Sequence, residues 1–352
     1  MNIEENRPLA PLTTFHIGGL ARYFCTVTDQ AEALQALDFA RGRVLPVFIL
    51  GGGSNILVSD EGFAGLVIKV ESKGLEVAGQ TDRTISLRVG AGEVWDEVAG
   101  FAAAHDWWGV ENLSHIPGST GAIAVQNVGA YGQEAKNVIA SVEVLDSRTG
   151  QMLTLDRKEC GFAYRRSIFN SSQKGRYLIF YVNFVLSPQP QPQLSYRDLR
   201  ERFAGRQPGL AEIRQAVTEI RDRKFPFPVE ARLGNAGSFF KNPTLDAGGY
   251  RGLAEQLAVR FGSEAAARLD RIKFEEGSAF KVPAAFLIDL CGLKNLRRGG
   301  AAINAAQPLV LLNETGEASA ADVLALAGEV KDSVYRQTGI NLAFEPELIG
   351  FT

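Results

Sequence analysis

The feature that most limits this chain is a glycine run set between two strand-like stretches. Residues 43–50 are apolar and β-rich, and they end abruptly in Gly51-Gly52-Gly53-Ser54-Asn55. Ile56, Leu57 and Val58 follow, then 66–70, and both stretches again read as strands. The run therefore joins strand to strand. The usual nucleotide motifs are missing: there is no G-K-[ST], and the G-x-G-x-x-G candidate at Gly90-Ala91-Gly92 has Trp95 in place of its third glycine. Three consecutive glycines let backbone N–H groups converge on an anion, and Ser54 and Asn55 add side-chain donors. A sharp turn accounts equally well for the pentapeptide taken alone.

Composition narrows the class. A chain of 352 residues, 45% of them hydrophobic, is long enough for two or three domains, each with a real core. The net charge of -3 argues against bulk nucleic-acid binding. The longest clean apolar run, 44–50, is far short of the roughly 20 residues of a membrane span. Asn2-Ile3-Glu4-Glu5 after Met1 is no export signal, so a cytoplasmic protein is expected. Cys25, Cys160 and Cys291 are scattered, and neither they nor His16, His105 and His115 show ligand spacing. No disulfide framework and no metal site are expected. Redox chemistry here has to come from an organic cofactor.

Several elements are legible. Asp29 and Glu32 have capping-box spacing before Leu34, Leu37 and Arg41. Strands are expected at 84–89, 142–145 and 177–186, with a helical stripe of Val94, Val98, Phe101 and Ala102 between the first two. The Pro-rich stretch 188–192 reads as the stiff entry to a loop or lid. A helix over 209–224 carries Leu210, Ile213, Val217 and Ile220 on one face and ends at the breaker 225–228, a domain boundary. Further helices are expected at 284–291, stopped by Gly292, and from Ser319-x-x-Asp322 to a C-cap at Gly339. A last strand is expected over 342–349.

A second glycine cluster strengthens the first: Ile116-Pro117-Gly118-Ser119-Thr120-Gly121, then Gln126-Asn127-Val128-Gly129-Ala130-Tyr131-Gly132. It suits backbone packed flat against a planar ring whose edges want amide partners. One loop for a diphosphate and one for a ring system make an FAD site. Arg165 and Arg166 sit in an otherwise apolar stretch, which also fits a solvated pair on an edge. Ser238 lacks the G-x-S-x-G elbow of a serine nucleophile, so it reads as a phosphate ligand or a proton donor. Glu345 and Glu347 stand two residues apart, on one face if the segment is a strand. An edge strand blocked by Pro346 is the plainer account of that pair.

In order and spacing, GGGSN, PGSTGA, QNVGAYG, YRRSIF, SYRDL, GNAGSFFKNP, RRGGAAIN and EPE resemble the UDP-N-acetylenolpyruvoylglucosamine reductase family. The resemblance runs from about Thr13 to Glu347, in the form with a tyrosine-bearing substrate loop. It implies an α+β chain: a vanillyl-alcohol-oxidase-type FAD-binding fold in two subdomains (1–70 and 71–220, with the loop at about 188–200). An αβ substrate-binding domain at 221–340 follows, and a C-terminal strand at 341–352 carries Glu347 back to the site. The implied reaction reduces the enolpyruvyl ether of UDP-N-acetylglucosamine enolpyruvate to UDP-N-acetylmuramate, a cell-wall precursor. NADPH is the co-substrate, and hydride passes by way of FAD to C3.

The resemblance also assigns roles. Arg165 faces the substrate carboxylate, Ser238 protonates C2 and Glu347 stabilises an enol-like intermediate. Tyr196, Lys224, Asn242 and Gln307 hold the UDP-sugar. Gly51, Gly52, Gly53, Ser54, Asn55, Ile116, Pro117, Gly118, Ser119, Gly121, Gln126, Asn127, Gly129, Tyr131 and Arg221 hold FAD. Without His or Cys at 51–60 the FAD is expected to be non-covalent, His115 being the one residue placed to alter that. Thr120, Ala124, Val125 and Asn304 depart from the commoner residues of the family. A monomer that binds a small-molecule UDP-sugar, with no nucleic acid or membrane partner, completes the expectation. Two other functions compete with it: another FAD oxidoreductase of the same fold, and a UDP-sugar-binding protein without redox activity.

Overall fold

The computed structural model describes residues 1–351 other than Phe225, Pro226 and Val229, and Glu276 by its backbone alone. Phe225 and Pro226, half of the expected breaker, thus lie outside the described residues. The chain divides into two compact units. Unit 1 comprises Met1–Pro8, Leu20–Gly53 and Phe63–Arg223; unit 2 comprises Leu9–Gly19, Ser54–Gly62 and Lys224–Thr352.

Unit 1 is built on two sheets. The first has the order Glu4–Pro8, Leu20–Val27, Phe63–Val70, Val47–Leu50; its first pair is antiparallel and the other two are parallel. Leu66, Val67 and Ile68 are each 0% exposed, as a parallel strand covered on both faces requires. The helix Gln30–Gly42 packs Ala33, Ala36, Leu37 and Ala40 inward at helical spacing. The Asp29 carboxylate caps it by accepting from Glu32 N at 2.9 Å. The Glu32 carboxylate reaches back one residue further than a capping box, to Thr28.

The second sheet is antiparallel throughout: Met152–Asp156, Ile139–Asp146, Tyr177–Leu186, Ile85–Gly90, Leu75–Gln80. Ile85, Leu87 and Val89 alternate inward with period 2. The helix expected near 94–104 is Trp95–Ala104, and its buried stripe is Trp95, Val98, Ala99 and Ala102. Val94, expected inside, is the exposed N-cap, because Trp95 N is drawn to Gly118 O at 3.0 Å. The helix Leu210–Lys224 buries Leu210, Ile213, Val217 and Ile220 in a separate cluster with Trp108, Tyr131, Leu199 and Phe203.

Unit 2 has its own core around Phe239, Phe240, Leu257, Leu287, Leu311 and the helix Ala320–Thr338. Val323, Leu326, Ala327, Val330 and Val334 of that helix are all 0% exposed. Ser319 and Asp322 form a full capping box, and Gly339 closes the helix at φ +68°. An antiparallel sheet runs Gly234–Ser238, Val310–Asn313, Ala301–Ile303, Arg297–Arg298. The last strand is shorter than expected. It is Glu347–Ile349 alone, paired in parallel with Ile56–Val58, while Phe344 makes an isolated bridge to Phe240. Pro346 has no N–H to offer a ladder, so Glu345 stays outside the strand and does not share a strand face with Glu347. Among the described residues no helix is long and apolar enough to cross a membrane.

Candidate active site

The glycine run meets the second glycine cluster backbone to backbone within unit 1. A Cβ on Gly52 would lie 2.5 Å from both Gly118 Cα and Ser119 N, so no side chain can stand there. A Cβ on Gly51 would come within 3.0 Å of Ser119 Oγ, and one on Gly121 within 2.9 Å of Ala91 Cβ. Gly53 and Gly118 have φ of +64° and +117°, which a side chain would resist. Ser119 N-caps the helix Thr120–Gln126 without using its side chain. Its hydroxyl oxygen is buried and has no hydrogen-bond partner among the described residues. Thr120 is 0% exposed, and its own hydroxyl donates to Glu93 O at 3.2 Å, so this departure is satisfied inside the fold. Ile116 and Pro117 lead into Gly118 from His115, whose N–H donates to Asp96 at 2.5 Å.

Beyond that helix the cluster behaves differently. Asn127 is 0% exposed with φ 44°, and its amide is engaged inside the unit. Nδ2 donates to Ala163 O at 2.9 Å and to Glu134 Oε2 at 3.2 Å; Oδ1 accepts from Lys136 N at 2.9 Å. Both amide protons expected for a cofactor ring are therefore used by the protein. Gly129 lies in the ribbon Gly129–Ala130 with Gln133–Glu134, and a Cβ on it would approach Arg165 Nη1 to 3.3 Å. Gln126 ends the helix, and its side chain is not without a partner.

Arg165 sits at the tip of a tight hairpin in which Ala163 and Arg166 exchange backbone bonds of 2.9 and 3.1 Å. Its φ of 52° is left-handed, a conformation that costs a non-glycine residue about 1 kcal/mol and needs support from its surroundings. Ser167, 0% exposed, supplies it: Oγ donates to Val125 O at 2.5 Å and N donates to Asn170 Oδ1 at 2.9 Å. Asn170 Nδ2 in turn donates to Arg165 O at 3.3 Å.

Tyr131, Tyr196 and Arg221 form one group in unit 1. The tyrosine rings meet edge to face at 5.0 Å, and burial pushes both phenols above their ordinary range. Arg221 is only 8% exposed; its Nε donates to His115 O at 2.7 Å, and Tyr131 is a further partner. Burial lowers its pKa from the usual arginine value. Arg221 is thus tied into the fold. His115 Nε2 lies 2.8 Å from Asp222 Oδ1, which engages that nitrogen.

In unit 2, Ser238 ends a strand with a bulge between Asn235 and Ser238. Gly237, at φ +69°, makes the bulge, and its N–H donates to Asn235 Oδ1 at 3.0 Å. Asn235 is itself 2% exposed and bonded to Thr14 on both sides. After Ser238 the chain runs beside the segment leading to Glu347: Glu345 N donates to Phe239 O at 2.9 Å and Lys241 N to Ala343 O at 2.9 Å. Glu347 N then donates to Asn55 O at 3.0 Å, and Asn55 Nδ2 to Glu345 O at 3.3 Å. Asn55, expected as a cofactor donor, belongs with Ser54 to unit 2 and supports this carboxylate segment.

Lys224, Asn242 and Gln307, expected at the substrate, follow in unit 2. Asn242 Oδ1 accepts from Ala284 N at 2.9 Å. Asn304, another departure, binds Lys224 O through Nδ2 at 3.1 Å and Ala306 N through Oδ1 at 2.8 Å. Gln307 follows in the same turn, its N–H 3.3 Å from Asn304 Oδ1.

Residues 21–156 match the family described as an FAD binding domain, and 227–349 match the C-terminal domain of UDP-N-acetylenolpyruvoylglucosamine reductase. The chain is 40% identical to the reductase of that name from Neisseria meningitidis, across 98% of its own length and 96% of the relative's. It is 38% identical to the one from Pseudomonas putida, across 98% of each. The chain belongs to the UDP-N-acetylenolpyruvoylglucosamine reductase family. The crystal structure of the reductase from Thermus caldophilus aligns with 99% of this chain and 98% of that one, at a TM-score of 0.68. At 24% identity it speaks for the fold alone. Reductases of this family are FAD-dependent oxidoreductases, and the α+β class with a separate C-terminal domain agrees with that fold.

The residues fit the cofactor at the Gly51–Gly53 contact. The Ser119 hydroxyl, buried with no partner among the described residues, is a donor that a diphosphate-bearing ligand can use. Sequence reading missed Ser167 and Asn235, which hold the expected residues in place; their only local signal is a small polar side chain next to an arginine or a glycine.

Proposed function

We propose that the chain reduces the enolpyruvyl ether of UDP-N-acetylglucosamine enolpyruvate to UDP-N-acetylmuramate, with NADPH as electron donor and Ser238 and Glu347 of unit 2 acting together. Bound FAD supplies the hydride carrier. Gly51, Gly52, Gly53, Ser119 and Gly121 in unit 1 hold it without a covalent bond, and unit 2 holds the UDP-sugar through Lys224, Asn242 and Gln307. Tyr196 is a further ligand of the UDP-sugar in this reading.

Hydride addition at C3 moves negative charge toward the substrate carboxylate. Arg165 meets it with a charge that does not titrate and a planar fork suited to a carboxylate. Glu347 hydrogen-bonds the enol-like form, and Ser238 delivers the proton to C2, so one hydride and one proton complete the reduction. The observation that carries this reading is the Gly237 bulge. It places Ser238 at a strand end whose next residue is bonded to Glu345, two positions before Glu347. A monomer working in the cytoplasm completes the proposal, supported by two buried free thiols, Cys25 and Cys160, that suit a reducing compartment.

The test separates the two half-reactions by flavin absorbance. Ser238→Ala should bleach with NADPH at nearly the normal rate and regain colour with the enolpyruvyl sugar about 10²–10⁴-fold more slowly. Equal slowing of both halves would remove Ser238 as the proton donor.

A further inference from the structure

The loop that carries Tyr196 is held by a buried amide that no role above uses. Asn112 is 0% exposed, and its Nδ2 donates to two carbonyls at once: Tyr131 O at 2.7 Å and Gln193 O at 2.8 Å. One belongs to the glycine-rich turn, the other to the loop three residues before Tyr196. The backbone that carries this amide is fixed from behind, while its Oδ1 is buried with no partner among the described residues. Asn112 N donates to Gln133 Oε1 at 2.9 Å, and Gln133 Nε2 donates to Glu111 Oε1 at 2.6 Å.

Two further contacts join the same turn to the same loop. A Cβ on Gly132, at φ +86°, would approach Ser195 Oγ to 3.0 Å, so the loop lies close against a residue without a side chain. The Tyr131 and Tyr196 rings then meet at 5.0 Å. At its entry the loop is closed by Trp108 and Ser187, which exchange backbone bonds of 2.7 and 2.9 Å.

We infer that Asn112 is a positioning residue for the substrate: it fixes the tyrosine-bearing loop to the 129–132 turn and so sets where Tyr196 meets the UDP-sugar. The inference rests on the reductase reading above for the identity of that ligand. An amide suits the site because both partners are carbonyls, and its NH2 group donates to two acceptors from one atom without burying a charge.

In FAD-loaded protein, Asn112→Ala should raise the KM for the enolpyruvyl UDP-sugar about fivefold to tenfold, the worth of one to two hydrogen bonds, with kcat nearly unchanged. Asn112→Asp, which keeps the shape and loses both protons, should do the same. In a Tyr196→Ala background the Asn112→Ala increase should fall below about twofold, because the loop no longer presents the side chain being placed. Additive increases, or an unchanged KM, overturn the inference. If neither Asn112 variant folds, Gly132→Ala takes their place, and an unchanged KM in that folded protein overturns it equally.

Wild-type protein that does not turn over the enolpyruvyl sugar overturns the reductase reading instead. Tryptic cleavage after Arg197 then still tests the loop. Faster cleavage in Asn112→Ala supports the tether, and an equal rate overturns it.

Discussion

Two glycine contacts, the first where Gly51–Gly52 meets Gly118–Ser119 and the second at the Gly129–Gly132 turn, look alike as sequence and do different work in the fold. Where Gly51 and Gly52 face Gly118 and Ser119, the missing side chains let one backbone lie on another, and the buried Ser119 hydroxyl has no partner among the described residues. Where Gly129 and Gly132 lie, the missing side chains make room for the protein's own Arg165 and Ser195, and the neighbouring Asn127 amide is fully engaged. Glycine density marks close approach in both. What approaches is decided by what stands opposite: the backbone of Gly118 and Ser119 in the first case, a hairpin and a loop in the second.

That contrast can be broken at its strongest point by Gly52→Ala. With a Cβ 2.5 Å from backbone on two residues, the variant should lose about 3 kcal/mol or more and purify without flavin. A yellow, stable Gly52→Ala protein would show that the first cluster is an ordinary turn.

Next in size is Asn127→Ala, expected to cost about 2–3 kcal/mol by thermal unfolding because it strands buried partners at Glu134, Ala163 and Lys136. It should keep its FAD affinity and lose turnover, since Ala163 belongs to the Arg165 hairpin. Weakened FAD binding, with turnover restored by excess FAD, would return the second cluster to the cofactor. Smaller still is Ser119→Ala. FAD affinity measured by titration should weaken about fivefold, while the flavin-free protein becomes slightly more stable, having lost an unpaired buried hydroxyl. Equal effects on both forms would leave the hydroxyl without a ligand role.

The smallest effect is on pH response, where the two regions should have opposite signs. Burial pushes Asp96 up, but the Arg214 guanidinium and the His115 N–H outweigh it and hold the carboxyl below its ordinary 3.8. Its contribution to the 114–121 side is present above that value and lost as pH falls through the lowered one. Glu111, behind Asn112, is raised above 4.5 because burial outweighs its bonds from Gly109 and Gln133. Its contribution is present below 4.5 and lost as pH rises through the raised value. Hydrogen exchange, corrected for intrinsic rates, should therefore show 109–113 and 131–133 gaining protection between neutral pH and 4.5. Protection at 114–121 should hold until below 3.8. Parallel changes in both would undo the contrast.

Much of the scaffold was legible from the sequence, and the reasons are local. The Asp29 cap, the Ser319 and Asp322 box, Gly339 and the 209–224 stripe are each decided within about one helical turn. The strands on either side of Gly51–Gly53 were equally clear, from β-rich runs stopped by glycine. The far end was not. A strand was expected over 342–349, yet only Glu347–Ile349 pairs, because Pro346 breaks the ladder and the partner, Ile56–Val58, lies far away in the sequence.

By itself, then, the sequence determined which segments are helix or strand, where glycine permits close approach, and through the order of its motifs the family to which the chain belongs. Only the tertiary structure decided what each amide and glycine faces: Asn55 at Glu345, Asn127 at Ala163, Asn112 at Gln193. The physical reason is that a side chain declares its donors and acceptors in the sequence, whereas the group opposite each of them exists only once distant segments have packed.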